Sequence, residues 1–132
     1  MIQKEVAQRM LAKPSTKDYG ILTLKMQYYF QVDLLLKVPP TVFTPPPKVD
    51  SAVIRLTPRK ERPEINHIDR YWKLIEIAFQ QRRKMLHNNV RHLITDIQYE
   101  KLLKVTPIDL NRRGESLNEQ EFIDLHRCIE LL

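Results

Sequence analysis

The sequence predicts an α+β fold: two short strands around a proline-rich loop, followed by a set of helices. Three observations carry this. The apolar runs Val32–Val38 and Ser51–Leu56 have strand length, and prolines stop them at Pro39-Pro40 and Pro58. Beyond residue 64 the apolar side chains recur at three- and four-residue spacing instead. Between the two regimes lies Arg59-Lys60-Glu61-Arg62-Pro63, charged and hostile to regular structure. That stretch is the best boundary in the chain and divides it into segments 1–60 and 61–132.

Taken in order, Met1 to Val6 has no capping signal and reads as the middle of an element, so Met1 is expected to be an internal methionine. Tyr19 to Phe30 is amphipathic, with Leu22, Met26, Tyr29 and Phe30 at helical spacing. Phe43-Thr44-Pro45-Pro46-Pro47-Lys48 is expected to be a rigid, polyproline-like loop between the strands. In the second segment Asp69 can cap a long helix reaching about Ile94, with Trp72, Ile75, Phe79, Leu86, Val90 and Leu93 on its buried face. A short helix follows from about Gln98 to Val105 and stops before Pro107. Asn118 with Glu121 forms a capping box for a last helix, along which Phe122, Leu125 and Ile129 repeat.

Composition narrows the function classes. The 132 residues are 42% hydrophobic, enough for one ordinary domain or two small units with a core. No apolar run approaches the ~18–20 residues that span a bilayer, and no signal-peptide pattern is present, so no membrane partner is expected. Cys128 is the single cysteine, which excludes an internal disulfide and makes a reducing cytoplasm the expected compartment. It sits in an apolar helix and reads as core. No metal site is expected: His87 and His92 lie about 140° apart on a helix, and neither His67, His126 nor Cys128 has ligand-spaced neighbours. The two glycines, Gly20 and Gly114, are isolated, so the chain offers no glycine-rich cradle for a nucleotide cofactor.

The net charge of +6 points to a polyanion. Through Pro63 there are 11 Lys and Arg against 5 Asp and Glu; beyond it there are 11 of each. The second segment is therefore neutral in sum, yet it holds no acid between Glu76 and Asp96, where Arg82-Arg83-Lys84, His87 and Arg91 fall. On one continuous helix centred on Leu86, Lys84 would sit at about 160°, His87 at about 100° and Arg91 at about 140°, sharing an outward face. Arg82 would lie only about 40° from the buried centre, at the rim of the apolar stripe. Two readings are open: a solvated face with a snorkelling arginine, or a cationic strip for nucleic-acid phosphates. Phe43 is similarly open, as a lid on the core or as a stacking platform for an exposed base.

These residues also carry a resemblance. Gln3-Lys4-Glu5-Val6-Ala7-Gln8-Arg9, Tyr19-Gly20 with Gln27-Tyr28-Tyr29, and Val38-Pro39-Pro40 through Phe43 to Val53 are similar to the dimethyladenosine transferases of small-subunit ribosomal RNA. Phe79-Gln80-Gln81-Arg82-Arg83-Lys84 and Arg113-Gly114-Glu115-Ser116-Leu117 continue the match in the same order and spacing. The Arg82-Arg83-Lys84 helix resembles the bacterial type more than the antibiotic-resistance methylases that modify large-subunit RNA. Gly114 departs from the family, where alanine is common, and no functional doubt attaches to it.

The resemblance implies an α+β fragment: the last strands of a Rossmann-like methyltransferase sheet over residues 1–60, then a small all-helical rRNA-binding domain over 61–132. It implies S-adenosylmethionine as the intact enzyme's cofactor, with none bound by this chain, because the family's donor loop, acidic ribose ligand and Asn-Leu-Pro-Tyr motif precede Met1. The fragment is expected to be inactive alone, and an unpaired sheet edge makes self-association an expectation too. The implied partner is small-subunit rRNA or the precursor small ribosomal subunit. Phe43 matches the aromatic that stacks on the flipped target adenine, whose delocalised amino nitrogen makes positioning the main task of catalysis. Arg82, Arg83, Lys84, His87, Arg91 and Lys48 form the expected RNA-binding set. Two other readings fit the residues: a stand-alone RNA- or ribosome-binding module, and a DNA-binding transcription-factor relative.

Overall fold

A computed structural model describes residues 1–42, 50–80 and 83–132. Among them are a three-stranded antiparallel sheet and six helices, so the protein is α+β. The chain divides into two units, Met1–Arg62 and Pro63–Leu132.

In the first unit β1 (Ile2–Gln3) runs straight into α1 (Lys4–Leu11), and α2 (Ile21–Tyr29) straight into β2 (Phe30–Val38). The returning strand β3 (Ser51–Pro58) lies between β1 and β2 and is antiparallel to both. Its register with β2 runs from Phe30↔Pro58 to Val38↔Ser51, with one irregularity between Leu34 and Leu36. The hairpin therefore closes at Val38↔Ser51, and the Lys4 amide donates to the Asp50 carbonyl at 2.9 Å. The proline-rich connection thus leaves and re-enters a fixed stem, although Phe43 and Lys48 themselves lie outside the described residues.

The last carbonyls of a helix have no partner within it. For α1 they are satisfied from α2. The buried Thr23 hydroxyl donates to the Arg9 carbonyl, and the Gln27 amide donates to the Met10 carbonyl at 2.9 Å. Ala7, Tyr19, Leu24, Tyr28 and Ala52 fill the core behind them. The charged stretch after β3 is not loose: Arg59 donates to the Gln27 carbonyl at 2.9 Å, and the Arg62 guanidinium lies 5.0 Å from the Tyr29 ring centre.

The second unit contains α3 (Ile68–Gln80), α4 (Leu86–Val90), α5 (Asp96–Val105) and α6 (Glu119–Glu130), with a 3-10 turn at Gly114–Ser116. The predicted Asn118–Glu121 capping box is formed, and a second box that the sequence analysis did not single out precedes α5. Asn118 and Glu121 exchange side-chain to backbone bonds at 2.8 and 3.1 Å, and Thr95 and Gln98 do the same before α5. Leu74, Ile75, Leu86, Leu102, Leu117 and Phe122 are fully enclosed at the centre.

There is no continuous helix from Asp69 to Ile94: α3 ends at Gln80 and α4 starts at Leu86. Lys84 is thus in a turn, and it does not share a helical face with His87 and Arg91. Asp69 is not the cap either. The helix begins at Ile68, after His67 in a left-handed conformation (φ 54°), and Asp69 sits in the first turn, where its charge suits the helix dipole. Tyr71 and Phe79 are the aromatics that α3 buries while Trp72 is only half-buried, and Cys128 is half-buried rather than core.

Candidate nucleic-acid interface

The break between α3 and α4 is made by residues far along the chain. The amide of Leu86 donates to the Arg112 carbonyl at 2.8 Å, and that of His87 to the Leu110 carbonyl at 2.9 Å. Met85 and Arg113 form an isolated antiparallel pair. Helix-start amides are unpartnered by their own helix, and here a second backbone segment takes them. With Leu86, Asn89 and Val90 buried, α4 is anchored from below and at its start.

Arg83 and Lys84 immediately precede Met85, the backbone partner of Arg113, and all three basic residues are exposed. Among the described residues none of them makes an ion pair. Arg113 lies outside the RNA-binding set expected from the sequence. Its signal was weak, an arginine in a motif about thirty residues downstream, and only the Met85 pairing reveals it. His87 is half-buried and Arg91 exposed, with its guanidinium 4.4 Å from the Tyr99 ring centre. Arg82, like Phe43 and Lys48, falls outside the described residues. Among those described, no three His, Cys, Asp or Glu side chains gather to hold a metal, and no helix is long and apolar enough to cross a membrane.

Arg112 pins the segment that carries Arg113. Its guanidinium donates to the Ser116 carbonyl at 2.7 Å, to the Ser116 hydroxyl at 3.2 Å, and to both carboxylate oxygens of Glu121. The hydrogen bond from Arg112 holds the Glu121 carboxyl below its ordinary value of 4.5, against a smaller opposing effect of burial. The same bond raises Arg112. The pair is 33% and 27% exposed, so solvent screening limits its worth to about 1 kcal/mol. As pH falls, the unfolded chain takes up this proton first. The stabilisation is whole above about pH 4.5 and lost as pH drops through the lowered folded value. Glu121→Gln keeps the capping geometry without the charge. Melting temperature followed from about pH 7 to 3 should show wild type above the variant at neutral pH and the two converging in acid. A constant gap across that range would dismiss the ion pair.

The comparisons with known proteins fall on this scaffold. Residues 1–130 match the family model described as "Ribosomal RNA adenine dimethylase". The chain belongs to the ribosomal RNA adenine dimethylase family. Two curated relatives of that family's kind are named Ribosomal RNA small subunit methyltransferase A. The protein from Saccharophagus degradans is 47% identical over 98% of this chain and 47% of its own length. That from Geobacillus thermodenitrificans is 44% identical over 98% of this chain and 46% of its own. The chain spans about half the length of the curated relatives it matches. Among solved structures, a dimethyladenosine transferase from Plasmodium falciparum superposes with a TM-score of 0.71 at 26% identity, over 93% of this chain and 53% of that one. The 23S rRNA methyltransferase ErmE superposes at 0.62 with 24% identity, over 97% of this chain and 52% of its own, a likeness of fold alone.

The residues present do not fit the methyl donor that such an adenine dimethylase implies. Gly20 is extended and isolated at the start of α2, and Gly114 is packed against Ala78. Neither opens a turn in which backbone could approach a nucleotide. What the described surface around the Met85–Arg113 pair offers is cationic contact.

Proposed function

We propose that this chain is the RNA-holding part of an enzyme that dimethylates N6 of two adjacent adenines in small-subunit rRNA, with S-adenosylmethionine as donor. The carrying observation is the turn between α3 and α4, in a member of this family. Arg83 and Lys84 in that turn, and Arg113 opposite Met85, stand exposed, with no ion pair among the described residues. A solvated surface normally mixes its signs; a surface built for phosphates does not.

On this reading β1, β3 and β2 are the closing strands of a Rossmann-like sheet, and the donor is held by a part of the relatives' length that this chain does not match. Pro63–Leu132 is the rRNA-binding unit, acting on the precursor small subunit. Phe43, on the connection stemmed at Val38↔Ser51, stacks on the target adenine, and Lys48 and Arg82 add to the phosphate contacts.

Phosphate contacts set register and orientation, and they show as salt dependence. Arg83→Gln with Lys84→Gln should weaken binding to small-subunit rRNA. The slope of log affinity against log salt should shrink by roughly 0.7–0.9 per lost contact. An unchanged slope, at an unchanged melting temperature, would reduce the turn to ordinary solvated surface.

A further inference from the structure

We infer that Arg91, laid on the ring of Tyr99, is a pre-set fork for an RNA backbone phosphate. This rests on reading the helical unit as RNA-binding, and it assigns one contact that the broken helix no longer explains.

The arginines of this unit are held in two different ways. Arg70 is tied to Glu130 at 3.0 Å, Arg112 to Glu121 and Ser116, and Arg127 to the Glu64 carbonyl at 3.1 Å. Each of these spends N–H donors on the protein. Arg91 does not. Its guanidinium carbon lies 4.4 Å from the Tyr99 ring centre, and among the described residues no carboxylate or carbonyl takes its side-chain N–H groups. A cation–π contact uses the flat face of the guanidinium and leaves the donors along its edge.

Tyr99 is itself fixed. It is 8% exposed on α5, whose start is closed by the Thr95–Gln98 box. The residue it holds follows α4, which the Leu86 and His87 amides anchor to the 110–112 segment. The side chain of Arg91 remains exposed. The result is a planar, permanently charged donor set whose orientation is fixed in advance, so little rotamer freedom remains to be lost on binding. The shape that accepts two parallel N–H bonds from such an edge is a carboxylate or a phosphate. In a unit that binds RNA it is the phosphate.

The test is the binding of a small-subunit rRNA hairpin to the full chain across a salt series, with melting temperature measured for each variant. Arg91→Gln should lower affinity roughly tenfold or more and flatten the salt slope by about 0.7–0.9. Arg91→Lys should keep the slope while losing part of the affinity, because the charge remains but the fork does not. Tyr99→Phe should match wild type, since the ring face survives. Tyr99→Leu should weaken binding about two- to fivefold with the slope retained.

If Arg91→Gln changes neither affinity nor slope while Arg83→Gln and Lys84→Gln reduce both, the fork is wrong and the RNA-binding reading stands. If none of these variants alters the slope, the RNA-binding reading falls and the fork with it. If a folded Tyr99→Leu binds like Tyr99→Phe, the ring does not position Arg91. Should Tyr99→Leu fail to fold, Arg91→Lys decides the matter: binding equal to wild type overturns the fork, and partial loss at constant slope supports it.

Discussion

Replacing Phe122 by alanine should unfold the helical unit at room temperature. Phe122 is completely enclosed, and its ring lies 6.0 Å from that of Phe79, so it joins α6 to α3 at the centre of the core. Phenylalanine-to-alanine changes in cores cost about 3–5 kcal/mol, the lost transfer energy plus the cavity left behind. Units of roughly 70 residues rarely hold more than about 3–5 kcal/mol in total. The substitution therefore removes about as much stability as the unit has. Trp72, the only tryptophan, is half-buried on α3 with its ring 4.9 Å from that of the buried Tyr71, so its fluorescence reports on the folding of this unit. The alanine variant should show the emission of an exposed tryptophan and no thermal transition by that probe. Phe122→Leu, which fills most of the space, should retain a transition at lower temperature. A Phe122→Ala protein melting within a few degrees of wild type would mean that the core lies elsewhere.

Gly114→Ala should destabilise the same unit by about 1–3 kcal/mol, the usual cost of forcing atoms into a packed interior. An added Cβ would stand 2.7 Å from the Cβ of Ala78 and 3.4 Å from its carbonyl oxygen. Neither atom is the end of a flexible side chain, so the 3-10 turn at Gly114–Ser116 would have to move away from α3. Arg113 precedes that turn and pairs with Met85, so the shift should also reduce RNA affinity. The partner change tests the cause. Ala78→Gly alone should cost about 0.5–1 kcal/mol as a helix glycine. Ala78→Gly with Gly114→Ala should be nearly as stable as Ala78→Gly alone, which a double-mutant cycle on chemical denaturation will measure. Additive losses would show that the close approach is not the reason for glycine here. The sequence reading attached no consequence to this residue; the contact with Ala78 supplies one.

Where a signal was local, the sequence told the truth. The prolines ended the strands, and Asn118-to-Glu121 announced α6, because a cap is made by residues three apart. The α3–α4 break left no such mark. Phe79, Leu86, Val90 and Leu93 keep a helical period straight across it, with neither glycine nor proline between them. What decides the break is the pairing of Leu86 and His87 with the carbonyls of Arg112 and Leu110, and no window of neighbouring residues contains that pairing. The expected shared face of Lys84, His87 and Arg91 failed for this reason. Arg113 stayed hidden for the same one: its pairing with Met85 exists only after the chain has closed on itself. Tyr99 was likewise silent, since a tyrosine on a short helix says nothing about the arginine above it.

The single backbone pair between Met85 and Arg113 has a consequence for the order of assembly. Twenty-eight positions separate the two residues, so one loop-closure event must come before the basic turn acquires its shape. On the ribosome, Arg83 and Lys84 are synthesised well before Arg113, and in that interval their charges are carried by a turn without its template. A nascent or C-terminally clipped chain would therefore meet RNA as any flexible polycation does, weakly and without orientation. On the proposed RNA-binding reading, an orienting grip belongs only to a chain in which Met85 has paired with Arg113, so folding itself would act as a check on when RNA is engaged.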